Sequence, residues 1–149
     1  MDSIDLKIKK VRTNAHVEIP QYMSGGASGL DLFVSIDEDI ILKPLERALI
    51  PTGVSVSIPP GFEAQIRPRS GLAIKHGVTL LNSPGTIDSD YRGEINLIVI
   101  NLGNEPFIIK SGMRLAQMII SSYVKVKPIL VEDIDDTTRG VGGFGHTGV

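Results

Sequence analysis

Residues 61–68, GFEAQIRP, carry the clearest strand pattern in the chain. From Phe62 to Ile66 every second residue is apolar, and polar or charged residues occupy the positions between and after them. Alternation with a period of two predicts a half-buried β-strand with one face toward solvent. The glycine that opens the stretch and the proline that closes it are typical strand boundaries.

Other segments extend this strand pattern along the chain. Residues 95–101, INLIVIN, form a β-branched run that predicts a buried central strand, and residues 48–58 alternate on either side of Thr52 and Gly53. The 16 glycines and 9 prolines are spread so evenly that few stretches between them can hold a long helix. The predicted fold class is therefore all-β, of the jelly-roll or barrel kind. Further strands are predicted at residues 106–109, 114–120 and 123–131.

One short helix is predicted after the first strand pattern. Ser70 is a good N-cap residue, the residues that follow it are helix formers, and Gly77 can adopt the left-handed conformation that ends a helix. The helix is expected to last about one or two turns.

The overall composition bounds the architecture and the partners. A chain of 149 residues is long enough for one buried core, so a single core domain is predicted at residues 1–138. Residues 139–149 contain too few side chains to pack against that core, and they predict a flexible glycine-rich tail. The net charge of −2 provides no basic surface of the kind that nucleic acid requires.

The absence of cysteine and of long apolar runs narrows the chemistry further. With 0 cysteines the chain has no thiol nucleophile, disulfide framework or thiolate metal site. The N-terminus mixes charges into every turn and lacks the apolar run of a signal peptide, and no stretch approaches the length of a membrane span. A cytoplasmic location is expected.

Residues 67–77, RPRSGLAIKHG, are the first candidate site. A strand that ends in Pro68 and Arg69, followed by a helix capped by Ser70, directs backbone amides, a hydroxyl and a guanidinium at one point. Such a point binds anions. The alternative is an ordinary strand, cap and turn with Arg69 on the surface.

Residues 82–96, NSPGTIDSDYRGEIN, are the second candidate site. Pro84 and the glycine after it favour a turn, so Asn82 and Asp88 are expected to flank a hairpin whose exposed amides can read the edge of a flat ligand, with Tyr91 nearby. Held beside a phosphate, Asp88 can accept a proton from water, whereas Asp90 is interpreted as an outward turn residue. The alternative is a plain β-hairpin with solvated aspartates.

Three weaker signals lie elsewhere. The tail sequence RGVGGFGHTGV lacks the features of a Walker loop, and its Phe144 is suited to stacking on a bound ring while Arg139 neutralises phosphate; simple disorder is the alternative. Gln117 is expected to share a face with Leu115 and to point into a cleft. The histidines are too scattered for a zinc site, so any metal should have oxygen ligands, and Asp31 can support Mg²⁺ directly or through water unless it only caps a turn.

Taken together, five segments resemble the five ordered motifs of the trimeric dUTPase family. They are ASGLDLF (27–33), PRSGLA (68–73), GTIDSDYRGE (85–94), GMRLAQMI (112–119) and RGVGGFGHTG (139–148). The resemblance implies a jelly-roll-like distorted barrel assembled as a threefold homotrimer with shared active sites, the tail closing over a neighbour's pocket as a lid. It also implies Mg²⁺-dependent hydrolysis of dUTP between the α- and β-phosphates, which yields dUMP and pyrophosphate.

The resemblance also implies roles for individual residues. Asp88 corresponds to the general base that holds the attacking water, and Tyr91 lies under the deoxyribose. The remaining nucleoside contacts correspond to Asn82, the backbone of Thr86 and Ile87, and Asn96 near the α-phosphate.

The phosphate groups have their own set of matching positions. Ser70 corresponds to a contact with the leaving-group oxygen, and Asp31 to a carboxylate that supports the metal through water. Ser28 and His146 depart from many relatives, which have alanine and serine there. The other phosphate and lid positions are Arg69, Gly71, Gln117, Arg139, Phe144, Gly145 and, at the γ-phosphate, Thr147.

Two alternatives remain at this point. A dCTP deaminase shares the fold and resembles the arginine-serine segment, but it uses a glutamate to activate water, and this chain has the Tyr91 segment instead. The other alternative is a catalytically silent nucleotide-sensing or protein-binding trimer on the same fold, against which the presence of Asp88, Ser70 and Phe144 speaks.

Overall fold

The computed structural model describes residues 3–13 and 16–148. The parts of the predicted core and tail that fall on residues 1, 2, 14, 15 and 149 lie outside the described residues. Over the described ranges the chain forms strands joined by short loops, with one helix, α1 (Ser70–His76). The strands are β1 (Lys7–Lys10), β2 (Leu30–Phe33), β3 (Ile40–Leu42), β4 (Arg47–Pro51), β5 (Val54–Ser57), β6 (Phe62–Pro68), β7 (Val78–Leu80), β8 (Gly85–Ile87), β9 (Asn96–Asn101), β10 (Phe107–Ile109) and β11 (Arg114–Ser122).

The strands are arranged in four antiparallel sheets. Two sheets have two strands each, β1-β5 and β3-β10, a third has the order β4-β9-β7, and the largest has the order β2-β11-β6-β8. The prediction of an all-β, jelly-roll-like fold with one short helix is confirmed. Among the described residues the strands do not close into one continuous barrel, because they belong to separate sheets that pack around a shared core.

The opening strand pattern is found in β6, which lies between β11 and β8. Its inward residues Ala64 and Ile66 are buried and face Ile120 and Met118 of β11 across the ladder. Burying such apolar side chains contributes roughly 25 cal/mol per Å² of surface removed from water. The polar residues of β6 point to the opposite face, where Gln65 donates to Glu63 and Arg67 donates to Gln65.

The predicted central strand is also present, as β9 between β4 and β7. Only alternate residues are buried, because the other face of this sheet carries partly exposed residues such as Ile98 and Ile100. Residues 48–58 form two strands in different sheets, with a sharp change of direction at Gly53, whose φ of +74° suits glycine.

The strand predicted at residues 123–131 is wrong. After β11 the chain leaves the sheet, and these residues form no ladder with any described strand of the protomer. Their apolar side chains are largely exposed, with Val124 87% and Leu130 100% accessible. Residues 123–131 do alternate in polarity, but among the described residues no sheet edge pairs with them.

The prediction that Leu115 and Gln117 lie on the same face of the strand is also wrong, because a β-bulge interrupts the alternation of faces. Gln117 lies opposite Asp31 of β2, but the register shifts between Arg114 and Ala116, so that Arg114 lies opposite Phe33. A bulge adds one residue to one strand and reverses the faces beyond it. Leu115 is consequently buried in the core, whereas Arg114 lies on the same face as Gln117.

Among the described residues, no helix has the length and apolar character needed to cross a membrane.

Candidate active site

The start of α1 differs from the prediction in one respect. Arg69, not Ser70, is the N-cap residue, with extended backbone and no side-chain cap hydrogen bond, and its carbonyl accepts from the N–H groups of Leu72 and Ala73. The Ser70 hydroxyl is therefore not used as a cap, and the N–H groups of Ser70 and Gly71 lie outside the helix's own ladder. Gly77 ends the helix in the left-handed conformation, as predicted.

Asp31 joins two arginines next to this helix start. Its Oδ2 lies 3.0 Å from Nη1 of Arg114 and 3.5 Å from Nη2 of Arg69. Arg69 also donates from Nη1 to the main-chain carbonyl of Arg114 at 2.8 Å. Asp31 is only 8% exposed, so its charge is shielded from water and balanced by the two guanidinium groups.

Gln117 lies on the same sheet face, between Asp31 and Arg67 in the ladder. Its Nε2 donates to the Pro68 carbonyl at 3.1 Å, next to the start of α1. Gly29 lies against it, since a Cβ on Gly29 would come within 2.8 Å of the Gln117 Oε1. We call the side chains around this helix start the Arg69 cluster; its members are Asp31, Arg69, Arg114 and Gln117, together with Ser70, which follows Arg69 in the chain.

The prediction of a β-hairpin at residues 82–96 is wrong, because the strands on either side of the turn belong to different sheets and do not pair with each other. Strand β8 (Gly85–Ile87) pairs with β6, whereas the preceding strand, β7, pairs with β9. The segment between them therefore bridges two sheets. A small cavity of about 40 Å³ lies at this bridge, and its lining includes the predicted nucleoside contacts Asn82, Thr86, Ile87 and Asn96.

Asp88 follows β8 directly and is exposed in the protomer. A turn links it to Tyr91, whose N–H donates to the Asp88 carbonyl at 3.1 Å. The Tyr91 hydroxyl donates to the Glu94 carbonyl at 3.0 Å, and its ring covers Gly93 so closely that a Cβ there would clash. Tyr91 is thus held in place beside Asp88.

Glu94 anchors this loop to the core. Its Oε1 accepts from the Gly53 N–H at 2.8 Å and from Nε of Arg12 at 2.9 Å. Glu94 and Arg114 were not among the predicted site residues, although both lie inside the recognised motifs. A signal existed for Glu94, a lone carboxylate at the start of an apolar run; none existed for Arg114, because the bulge that turns it toward Asp31 is invisible in the alternation.

The tail forms a series of turns with local hydrogen bonds. Arg139 donates from Nε to the Gly142 carbonyl at 2.8 Å, and Phe144 is fully exposed. Gly145, with φ of +86°, needs the freedom of glycine, and Thr147 is exposed. Within the described residues, the structure does not bring the predicted lid residues to either the Arg69 cluster or the small cavity.

The Arg69 cluster and the segment beside the small cavity border one open pocket of about 500 Å³, whose lining includes Gln117, Pro68, Ser83 and Pro84. No hydrogen bond or ion pair of the described residues joins Asp88, Asn82 or Tyr91 to the Arg69 cluster. Within the described protomer, the phosphate-type and nucleoside-type residues therefore lie near a common open pocket without bonding to each other directly.

The described side chains are compatible with a magnesium ion that is held mainly by substrate phosphates and contacted by Asp31 through water. Among the described residues no group of three or more acidic or histidine side chains is positioned to bind a metal. Asp31 is occupied by two arginines and suits a water-mediated contact better than direct ligation. Mg²⁺ commonly keeps several waters and is held by substrate phosphates with one or two carboxylates, which is compatible with this donor set.

Comparisons with known proteins agree with these motifs. The family model for dUTPase matches residues 15–148. The chain is 56% identical over 147 residues to the deoxyuridine 5'-triphosphate nucleotidohydrolase of Thermoanaerobacter sp. (strain X514), with 99% of each chain covered. It is 50% identical over 143 residues to the protein of that name from Fusobacterium nucleatum, with 96% of this chain and 97% of that protein covered.

Solved structures show the same likeness. The dUTPase of Staphylococcus bacteriophage 80alpha with dUpNHpp superposes with a TM-score of 0.88 at 26% identity, covering 99% of this chain and 100% of that one. A mutant form of the same phage enzyme with dUpNHpp gives a TM-score of 0.88 at 25% identity, with the same coverage. From the family model and the nearly full-length relatives, this chain belongs to the dUTPase family.

Proposed function

We propose that this protein hydrolyses dUTP to dUMP and pyrophosphate. The observation that carries the proposal is the small cavity lined by Asn82, Thr86, Ile87 and Asn96, with Asp88 directly after its strand. At about 40 Å³ the cavity admits only the edge of a planar base, and its main-chain groups and amide side chains are suited to bind that edge. Such hydrolysis limits the uracil available for DNA and supplies dUMP for dTMP synthesis, and we assign it to the cytoplasm.

In the proposed mechanism Asp88 holds the attacking water. As the water oxygen bonds to the α-phosphorus, Asp88 accepts its proton, and the bond from the α-phosphorus to the α-β bridging oxygen breaks. The bridging oxygen leaves with pyrophosphate. Arg69 and the Ser70 hydroxyl, together with Gln117, stabilise the negative charge that moves onto the leaving group.

Mg²⁺ supplies further neutralisation of the phosphate charge when it is bound. Asp31 would support it through water, since its carboxylate is held by two arginines. A solved structure of a mutant dUTPase from phage phi11 of S. aureus reveals the coordination of a structural Mg(II) ion in that protein.

Selection of the substrate follows from the shape of the protein around the nucleoside, which is set by Tyr91 and the cavity at β8. Tyr91 is fixed by its hydrogen bond to Glu94 and lies under the sugar, where it leaves no room for a ribose 2′-hydroxyl. The narrow cavity at β8 excludes the thymine methyl. Cytosine is rejected because its donors and acceptors would leave buried polar groups unpaired, a strong source of discrimination.

We further propose a homotrimer in which each active site combines groups from different subunits. Asp88 and the Arg69 cluster do not bond to each other within the described protomer, and the tail reaches neither. Large apolar side chains also lie exposed on and beside the β4-β9-β7 sheet, among them Leu49 (63%), Leu81 (50%) and Leu102 (57%). Contiguous exposed apolar surface is typical of an interface between subunits.

The proposed function is tested by pyrophosphate release from dUTP, dTTP, dCTP and UTP in the presence of Mg²⁺. Turnover confined to dUTP is expected. Silence on all four nucleotides would contradict the proposal and favour the nucleotide-sensing trimer, whereas ammonia released from dCTP would identify a deaminase.

The two glycines at the ends of α1 provide a paired prediction. Gly71 lies within α1 and a Cβ on it meets nothing within 4 Å, so Gly71→Ala should not lower the melting temperature. We expect kcat/KM for dUTP to fall about tenfold, because the methyl group intrudes where phosphate approaches the backbone N–H.

Gly77→Ala serves as the opposite case. Its φ is +66°, and a Cβ would lie 2.5 Å from the Gly103 nitrogen, so we expect a loss of about 2 kcal/mol in the free energy of unfolding. Urea titration and steady-state kinetics measure both variants. Full activity in Gly71→Ala would mean that neither fold nor function requires glycine there.

A further inference from the structure

We propose that Arg114 is a positioning residue that makes the shorter contact with the Asp31 carboxylate and orients Arg69, so that the Arg69 guanidinium can bind the phosphate chain. The inference rests on the proposed function and adds to it a residue outside the predicted substrate and metal contacts. The bulge in β11 carries it, because without the extra residue Arg114 would point into the core.

Arg114 contributes to the Arg69 cluster through both its side chain and its main chain. Its guanidinium bonds the Asp31 carboxylate at 3.0 Å, and its carbonyl accepts from Arg69 at 2.8 Å. The position of one residue thus sets the location of Asp31 and the orientation of the Arg69 guanidinium. Both contacts are only partly exposed, with the Arg69 and Arg114 side chains 30% and 36% accessible.

The unequal distances indicate how the two arginines divide their roles. Arg114 forms the shorter contact with Asp31, and Arg69 lies farther away at 3.5 Å. A nearly buried carboxylate requires a cationic partner. With the Arg114 charge removed, Arg69 becomes the remaining counterion and is drawn toward Asp31, where it competes poorly for phosphate.

The test compares binding of a triphosphate with binding of a nucleoside. Arg114→Gln should raise the Kd for dUpNHpp about tenfold while leaving the Kd for deoxyuridine unchanged, because only the triphosphate uses Arg69. Arg114→Lys retains the charge beside Asp31 and should recover most of the triphosphate affinity. Lys43→Gln, at an exposed lysine between β3 and β4, is the control for loss of a positive charge and should change neither constant.

Melting temperatures are recorded for every variant, and Arg114→Met replaces Arg114→Gln if the latter does not fold, with the same selective loss expected. A Kd for dUpNHpp within twofold of the parent, or equal losses for dUpNHpp and deoxyuridine, would overturn the positioning role. Failure of the parent protein to release pyrophosphate from dUTP would instead refute the proposed function. The ratio of the two Kd changes therefore tests the positioning role of Arg114, and the dUTP turnover of the parent protein tests the proposed function separately.

Discussion

Replacing Asp88 with asparagine is expected to remove nearly all dUTP turnover while leaving nucleotide binding intact. Asparagine has almost the same shape as aspartate but cannot accept a proton from water. General base catalysis contributes about 100-fold to 10,000-fold, so we expect kcat to fall by roughly 1,000-fold. The Kd for dUpNHpp should stay within about threefold of the parent value, since the pocket contacts are unchanged.

Asp90→Asn is the matched control, because Asp90 is an exposed aspartate in the same turn. Its kcat should remain within about twofold of the parent, as a solvated side chain outside the reaction contributes little. Quenched-flow measurement of pyrophosphate compares the two variants under single-turnover conditions, which separates the chemical step from product release. Substantial turnover in Asp88→Asn would remove Asp88 from the role of base.

Deleting residues 139–149 is expected to abolish efficient hydrolysis without dissociating the proposed trimer. The described part of the tail makes only local hydrogen bonds, so the core loses no packing when it is removed. Lid closure excludes water from the phosphates and strengthens the charge interactions around them. We expect kcat/KM to fall about 100-fold or more, with an unchanged mass by light scattering.

Single substitutions in the tail distinguish the loss of one specific contact from the effect of removing the whole tail. Phe144 and Val141 are both fully exposed, at 113% and 107% accessibility. Phe144→Ala should lower kcat/KM about tenfold, because stacking of an aromatic ring on a base is worth about 1–3 kcal/mol. Val141→Ala should have no effect. Equal rates for the parent and the truncated protein would refute the proposal that residues 139–149 act as a lid.

The sequence predicted those features of the candidate site that depend only on residues close together in the chain. The left-handed Gly77 and the strand ending at Pro68 depend on neighbouring residues, so short patterns reveal them. The N-cap at Arg69 was missed because capping preferences are statistical, and here the carbonyl that begins the ladder belongs to the residue before Ser70.

The alternation in residues 61–68 by itself determined that this chain builds a β-sheet with one buried face, since the period of two is a property of the strand alone. Five short motifs likewise determined its family. Only the tertiary structure decided which strands pair, that residues 123–131 find no ladder among the described strands, and that a bulge turns Arg114 toward Asp31. These outcomes depend on contacts between residues far apart in sequence, and a one-residue shift in register reverses which side chains meet.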